Sequence, residues 1–259
     1  MRITWLGHSG VLIEAGGVRV VTDPLLRSRF AGLRWAVPLP AAVRSLARGE
    51  LTVDAVLISH LHHDHCDVPS LRTLGAPTVV VPVGAGAWLR RVRVGGVVEA
   101  AVGERVDLGA GLRVTKVHAE HNGRREPRGP RAMAVGHLVE TADLAVWLAG
   151  DTGLHPSFRD LPQWTHNGRV DVAVVPVWGW GPSLGPGHLD PMAAAQAVLL
   201  SGAAHAIAVH WGTLYPVGLR SLMKSRLAMP GRQFADHLTG TGVTAYALPV
   251  GGRFTVPST

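Results

Sequence analysis

"ISHLHHDHCD", residues 58–67, closes an apolar run that begins "VDAVL" at Val53. Three of its first six residues are His, a fourth follows at position 65, and Asp64 sits among them. In an extended or tightly turned segment His60 and His62 point the same way. Asp64 and His65 then follow at a turn and face a second position. Four such groups packed together without a cation would be desolvated polar groups with poor partners. Zinc and its neighbours accept this mixture of imidazole and carboxylate. Cys66 is the single cysteine, which excludes an intrachain disulfide and a zinc site built from cysteines.

The same kind of ending recurs along the chain. His121 ends "VTKVHAEH", Asp151 ends "LAVWLAGD" and His210 ends "HAIAVH". In α/β sheets, ligands collect beyond the carboxyl ends of strands. Strand ends meet loops and turn polar anyway, and 14 His in 259 residues bring some together by chance. A lone His there reads as a hydrogen-bonded, partly buried residue. The compact H-x-H-x-D-H spacing is what points to a metal.

Periodicity and turn residues predict the remaining elements. "RITWL" and "GVLIEAGGVRVVTDP" read as strands, with a hairpin at Gly16-Gly17. The Arg-rich stretch after Pro24 reads as a long loop with one helix over 43–48, and long structured loops are often functional. "VPSLRTLG" and "GAGAWLRRVRVGG" predict short helices around the buried strand "APTVVVPV". "VVEA", "ERVDL", "LRVTKVHAEH", "MAVGHLVE" and "LAVWLAGDTG" predict an antiparallel or mixed sheet. "RVDVAVVPVWGW" is a buried strand that enters a glycine-rich loop. "DPMAAAQAVLLSGA" is the clearest helix, with Asp190 as N-cap, Pro191 at N1 and Gly202 at its end. "HAIAVHWG" and "VTAYAL" are strands, separated by a short helix in "LRSLMKSRLA" and another near Phe234. No Gly-, Ser- or Pro-rich linker and no repeat interrupts the chain. One α/β domain over residues 1–259, with two sheets between helices, is the expectation.

Composition sets the outer limits. Hydrophobic residues make up 47%, which fits a globular chain rather than a disordered one. Lys and Arg number 25 against 18 Asp and Glu, a formal net charge of +7. That surplus favours anionic partners. It is modest and nearly all Arg, so specific nucleic-acid binding is not expected. "MRITWLGHSG" lacks the long apolar run of a signal peptide, and no stretch reads as a membrane span of ~18 or more apolar residues. A cytoplasmic protein is expected, with peripheral membrane contact and homo-oligomer formation both left open.

With these residues in place, the chain resembles the metallo-β-lactamase fold superfamily of metal-dependent hydrolases. More narrowly, the chain resembles the branch that contains bacterial ascorbate-phosphate lactonase and N-acyl-phosphatidylethanolamine phospholipase D. "WLGHSGVLIEAGG", "VTDPL", "DAVLISHLHHDHCDVPSLRTL", "AEHNGR", "AGDTG", "GHLDPMAAAQA" and "AVHWGT" carry the resemblance through most of the sequence. It implies a four-layer αββα sandwich and two divalent metal ions, Zn2+ first, with Mn2+ or Fe2+ as alternatives. His60, His62 and His121 resemble the ligands of one ion. Asp64, His65 and His210 resemble those of the other, and Asp151 resembles the bridging carboxylate. His118 is the alternative to His121, while His63 reads as a supporting residue. His8 in "GHSG" either supports the site or is a turn residue. Asp23 is expected to order a ligating His. His188 in "GPGHLDP" either donates a proton or contacts substrate, or else caps its loop.

The implied chemistry is attack by a hydroxide, shared by the two ions, on a carbonyl carbon or a phosphorus, with Asp64 also accepting a hydrogen bond from it. Arg124, Arg125, Arg128 and Arg131 follow His121 and suit phosphate or carboxylate recognition, or else form a solvated basic loop. The stretch 27–35 is a candidate to close over the site. Trp178 and Trp180 form an apolar wall if exposed and ordinary core if buried. A phosphodiester in a small or lipid-like anionic substrate is the expected target. The alternatives are a lactonase or ester hydrolase of a small anionic metabolite and a metal-stabilised binding protein without catalysis.

Overall fold

The computed structural model describes residues 1–125 and 128–257. The first half of the chain contains β1 (Arg2–Gly7), β2 (Gly10–Ala15), β3 (Val18–Thr22), β4 (Arg29–Phe30), β5 (Leu33–Trp35), α1 (Ala41–Ala47), β6 (Ala55–Leu57), α2 (Val68–Leu74), β7 (Thr78–Pro82), α3 (Gly86–Arg91) and β8 (Val97–Ala100). The second half contains β9 (Arg105–Gly109), β10 (Leu112–His118), β11 (Val135–Glu140), β12 (Ala145–Leu148), a 3-10 segment (Pro156–Trp164), β13 (Val172–Pro176), α4 (Pro191–Ser201), β14 (His205–Val209), β15 (Leu214–Pro216), α5 (Lys224–Ala228), α6 (Pro230–His237), β16 (Thr244–Tyr246) and β17 (Arg253–Thr255).

Two seven-stranded sheets result, ordered β17-β1-β2-β3-β6-β7-β8 and β16-β14-β13-β12-β11-β10-β9. Each changes character along its width. In the first, β17 through β3 are antiparallel and β3 through β8 parallel. In the second, β9 through β12 are antiparallel and β12 through β16 parallel. The inner parallel strands β7 and β13 are buried on both faces, which is why "TVVVP" and "VAVVP" are continuous apolar runs.

Strand alternation sorts these side chains into three layers of core. Ile3, Val11, Val20, Leu57 and Val80 meet Val114, Val139, Val146, Val174 and Ile207 between the sheets. The opposite face of the first sheet, with Leu12, Val21, Val56 and Val79, packs on Val43 and Leu46 of α1, Leu71 of α2 and Leu89 of α3. The opposite face of the second sheet, with Leu138, Trp147, Ala173 and Ala206, packs on Phe158, Ala194, Val198 and Phe234. Three cores between four layers are the expected αββα sandwich.

Local chemistry accounts for the helix ends. Asp190 accepts the Ala193 N–H at 2.8 Å, Pro191 opens α4, and Gly202 ends it in the left-handed region. Asp67 caps α2 in the same way through the Ser70 N–H. Gly16 and Gly17, at φ 57° and 84°, form the tight β2–β3 turn that both need a positive φ to make.

Four features differ from the sequence expectation. The stretch read as one long loop contains the β4–β5 hairpin, and β5 pairs with the distant β15 in a separate three-stranded sheet. The strands β4 and β5 are too short to show periodicity, and their partner lies far along the chain. The strand β17 and the 3-10 segment were not expected either. Lastly, β6, β10 and β12 stop at Leu57, His118 and Leu148, so His60, His121 and Asp151 lie just beyond strands rather than at their last residues. No helix among the described residues is long and apolar enough to cross a membrane.

Candidate metal centre

Strands β6, β10, β12 and β14 run out toward one edge of the sandwich, and the candidate residues sit immediately past them. After β6 the chain turns tightly. The Cys66 and His65 N–H groups both donate to the His62 carbonyl, at 2.8 and 3.2 Å. That turn separates His60 and His62 from Asp64 and His65. Three overlapping groups of ligand atoms follow: His60, His62 and His121; His60, His65 and Asp151; and His8, Asp64, His65 and His210, each with its atoms within 4.8 Å of one another. A further group joins His121, Asp151 and His188. The expected ligand set is thus gathered in one place, with His8 and His188 against it.

Three of the imidazoles, those of His65, His121 and His210, are aimed by an acceptor behind them. His65 Nδ1 lies 2.7 Å from Asp23 Oδ2, and a carboxylate can only accept, so Nδ1 carries the proton and Nε2 faces the centre. Asp23 itself is fixed by the Ser59 N–H at 2.8 Å and the Ser59 hydroxyl at 2.6 Å. His210 Nδ1 donates to the Trp178 carbonyl at 2.9 Å. His121 Nδ1 donates to the Gly187 carbonyl at 2.7 Å. Gly187 has φ +75°, and an added Cβ there would lie 3.0 Å from His121 Nδ1. His8 puts Nε2 2.9 Å from Asp64 Oδ2 and stacks on His210 with ring centroids 3.9 Å apart. His8, Asp23 and His210 all hold left-handed backbone, at φ 50°, 38° and 63°.

The electrostatics are those of a cation site. Burial pushes the Asp64 carboxyl up, but His65, His8 and His210 more than offset it and hold it well below the usual carboxylate range. Burial acts the same way on Asp151, again outweighed, chiefly by His210 and His65. Burial lowers the His65 pKa, but Asp151, Asp64 and Asp23 reverse this and raise it, as carboxylates gathered around a cation position would. Burial keeps His62 and His210 neutral, down at about 4 and about 3. His60 Nε2, His62 Nε2 and Asp151 Oδ1 are buried and have no hydrogen-bond partner. Buried orphans of this kind are rare without a ligand. The residues fit divalent metal ions.

The outer residues divide. His188 Nε2 stands 3.4 Å from Asp151 Oδ2, and burial, which lowers its pKa, is outweighed by that carboxylate. His118 is not in the centre but in a separate group with Glu120 and His155. Arg125 faces the ligand turn, donating to the Leu61 and Cys66 carbonyls at 2.9 Å each, contacting His63 Nδ1 at 2.9 Å and stacking on Trp88. Arg124 is exposed, as is Arg128, and Arg131 borders a cavity on the far side of His121. Trp178 is buried, with Arg226 over its ring, whereas Trp180 is 41% exposed and lines the site.

Above the centre is an open cavity of 590 Å3. His62, Asp64, Asp151, His188 and His210 form its floor, and Phe30, Leu33, Trp180, Pro182, Leu184 and Pro216 its walls. The β4–β5 hairpin therefore supplies one wall, and Arg27 anchors its start on Asp67. Among the described residues, no Arg or Lys lines this cavity. The sequence reading missed Ser59 and the carbonyls of Gly187 and Trp178. Ser59 lies inside the quoted motif, and the glycine-rich loop before His188 was the one signal for the carbonyls.

Comparison with known proteins identifies the fold and the family. A family model described as "Beta-lactamase superfamily domain" matches residues 18–211. A UPF0173 metal-dependent hydrolase of Nitratidesulfovibrio vulgaris (strain DP4) is 30% identical over 247 residues, covering 91% of this chain and 88% of that one. The N-acyl-phosphatidylethanolamine-hydrolyzing phospholipase D 1 of Caenorhabditis elegans is 29% identical over 237 residues, covering 83% of this chain. The match spans 64% of that relative's length. Among solved structures, Igni18, a metallo hydrolase from the archaeon Ignicoccus hospitalis, superposes with TM-score 0.73 at 18% identity, over 98% of this chain and 97% of that one.

Proposed function

The chain belongs to the metallo-β-lactamase superfamily, and on that premise we propose a hydrolase that holds two divalent ions, Zn2+ first, and cleaves a phosphodiester in a small or lipid-like anionic substrate. In this reading His60, His62 and His121 would hold one ion, Asp64, His65 and His210 would hold the other, and Asp151 would serve both. The observation that carries it is the set of orphaned buried atoms, His62 Nε2 and Asp151 Oδ1 on residues that line an open cavity and His60 Nε2 buried beside them. Ions bound there supply Lewis acidity toward a phosphoryl or carbonyl oxygen and acidify a water.

The chain's own residues do the rest. Asp23, Gly187 and Trp178 fix the rings so that Nε2 of His65, His121 and His210 faces inward. His8 keeps the Asp64 carboxylate aimed and ionised. His188 stands at the cavity side of Asp151, within reach of the leaving oxygen, and hands it a proton. Phe30, Leu33 and Trp180 hold the apolar part of the substrate and exclude water. The similarity to the Caenorhabditis elegans phospholipase D and these apolar walls support the phosphodiester reading.

A lactone or ester is the second reading. The lack of any Arg or Lys among the described lining residues favours it, because an uncharged electrophile needs no cationic clamp. Metal content of purified protein, paired with hydrolysis of bis-p-nitrophenyl phosphate and of a generic lactone, tests both. About two ions per chain with chelator-sensitive phosphodiester cleavage is the expected result. Metal with lactone cleavage only moves the assignment to the second reading. Folded protein that takes up no metal overturns both.

A further inference from the structure

His118, set apart from the centre, has its own company. It is the last residue of β10, and its Nε2 is buried without a hydrogen-bond partner. Glu120 Oε2 lies 3.4 Å from that nitrogen. The His155 ring centroid is 4.6 Å from the His118 ring, and the three side chains offer ligand atoms within 4.8 Å of one another. The centre described above uses none of the three.

The backbone holds this trio together. Glu120 N–H donates to Thr152 Oγ1 at 2.9 Å, and the Glu120 carbonyl accepts the Gly153 N–H at 2.8 Å. These two bonds tie the loop after β10 to the loop after β12. The same tie that brings His121 to Asp151 therefore brings His118 and Glu120 to His155. His155 Nδ1 lies 2.7 Å from Ser157 Oγ, so this nitrogen is engaged and Nε2 is left for coordination. His118 and Glu120 border a 450 Å3 cavity, which gives an ion and its remaining ligands room to enter.

We propose that His118, Glu120 and His155 form a further divalent-metal site, of zinc-like preference, on the solvent side of the loops that carry His121 and Asp151. Two imidazoles and one carboxylate complete three corners of a tetrahedron and leave the fourth to water or an outside ligand. Glu120 is exposed and its side chain must be ordered on binding, so the site is weaker than the buried centre. An ion there ties the two loops together through side chains as well as through the backbone.

The test is a zinc titration of protein whose buried centre is already loaded, against a chromophoric chelator, with His155→Asn and Glu120→Gln beside the unaltered chain. Asparagine at 155 keeps a side-chain acceptor for the Ser157 N–H, which His155 now caps. The unaltered chain is expected to take up one more equivalent than its buried centre holds. Either substitution is expected to weaken that last equivalent more than about 10-fold and leave the tighter ions in place. Equal uptake by all three proteins overturns the proposal, as does an unaltered chain that binds nothing beyond its buried centre. Loss of the tighter ions in the unaltered chain would instead overturn the hydrolase reading, which this site does not depend on.

Discussion

The Asp23 carboxylate reaches His65 Nδ1 at 2.7 Å and takes the Ser59 N–H and hydroxyl as well, so one buried side chain aligns the quoted motif from behind. Asp23→Asn replaces one acceptor oxygen by an amide donor. If the amide faces His65, Nδ1 becomes the acceptor and the proton moves to Nε2, where the ion belongs. Metal affinity is expected to fall about 10- to 100-fold, read by chelator competition. Unchanged affinity would remove Asp23 from the account.

Gly187→Ala tests the other side of the centre. It forces a side chain into left-handed backbone, at a cost of about 1–2 kcal/mol, and places Cβ against His121 Nδ1. Weaker metal retention is expected at the His60, His62 and His121 group, with Tm lowered only slightly. Full metal content with a normal Tm would show that His121 tolerates displacement.

His188→Asn separates proton transfer from metal binding. A fall in kcat of about 100-fold is expected, with metal content unaltered and the pH profile shifted. A raised KM at constant kcat would make His188 a substrate contact and not a proton donor.

Arg125 is expected to matter for stability. Arg125→Met leaves the Leu61 and Cys66 carbonyls without their donor, which costs about 1–3 kcal/mol in denaturant unfolding. KM for an anionic substrate should not change. A selective rise in that KM would restore Arg125 as an anion clamp.

Lys116 gives a pH signature of the fold. It is fully buried between the sheets, donating to the Ile58 and Val80 carbonyls at 3.2 and 3.3 Å, and burial lowers its pKa to about 7. In the unfolded chain a lysine titrates near about 10.4. Between these values the unfolded chain holds a proton that the folded chain lacks, so this group makes stability rise with pH across that window. Lys116→Met should flatten the rise, measured as unfolding free energy at about pH 7 and about pH 9. An equal rise in both proteins would assign it to other groups.

Much of this was legible in the residues. The Asp190 cap, the Gly16-Gly17 turn and the apolar strands are local chemistry, and each is where its sequence places it. His60, His62, Asp64 and His65 lie so close in the chain that one tight turn gathers them. What could not be read depends on distant partners. The β5–β15 pairing joins short segments with no pattern of their own. Trp178 and Trp180 are two residues apart on the same loop, yet only the fold decides that one is buried and the other faces the cavity. Arg125 looked like a substrate residue because charge is visible in sequence and direction is not. The Gly187 and Trp178 carbonyls carry no side-chain signature at all.

His8, Asp23 and His210 each hold a left-handed backbone that costs a residue with a side chain about 1 kcal/mol or more. Glycine would hold the same turns with less strain. A library selected only for heat resistance would therefore tend to drift toward glycine at these positions and lose its metal site on the way. Laboratory evolution of this chain needs activity and thermal endurance selected together.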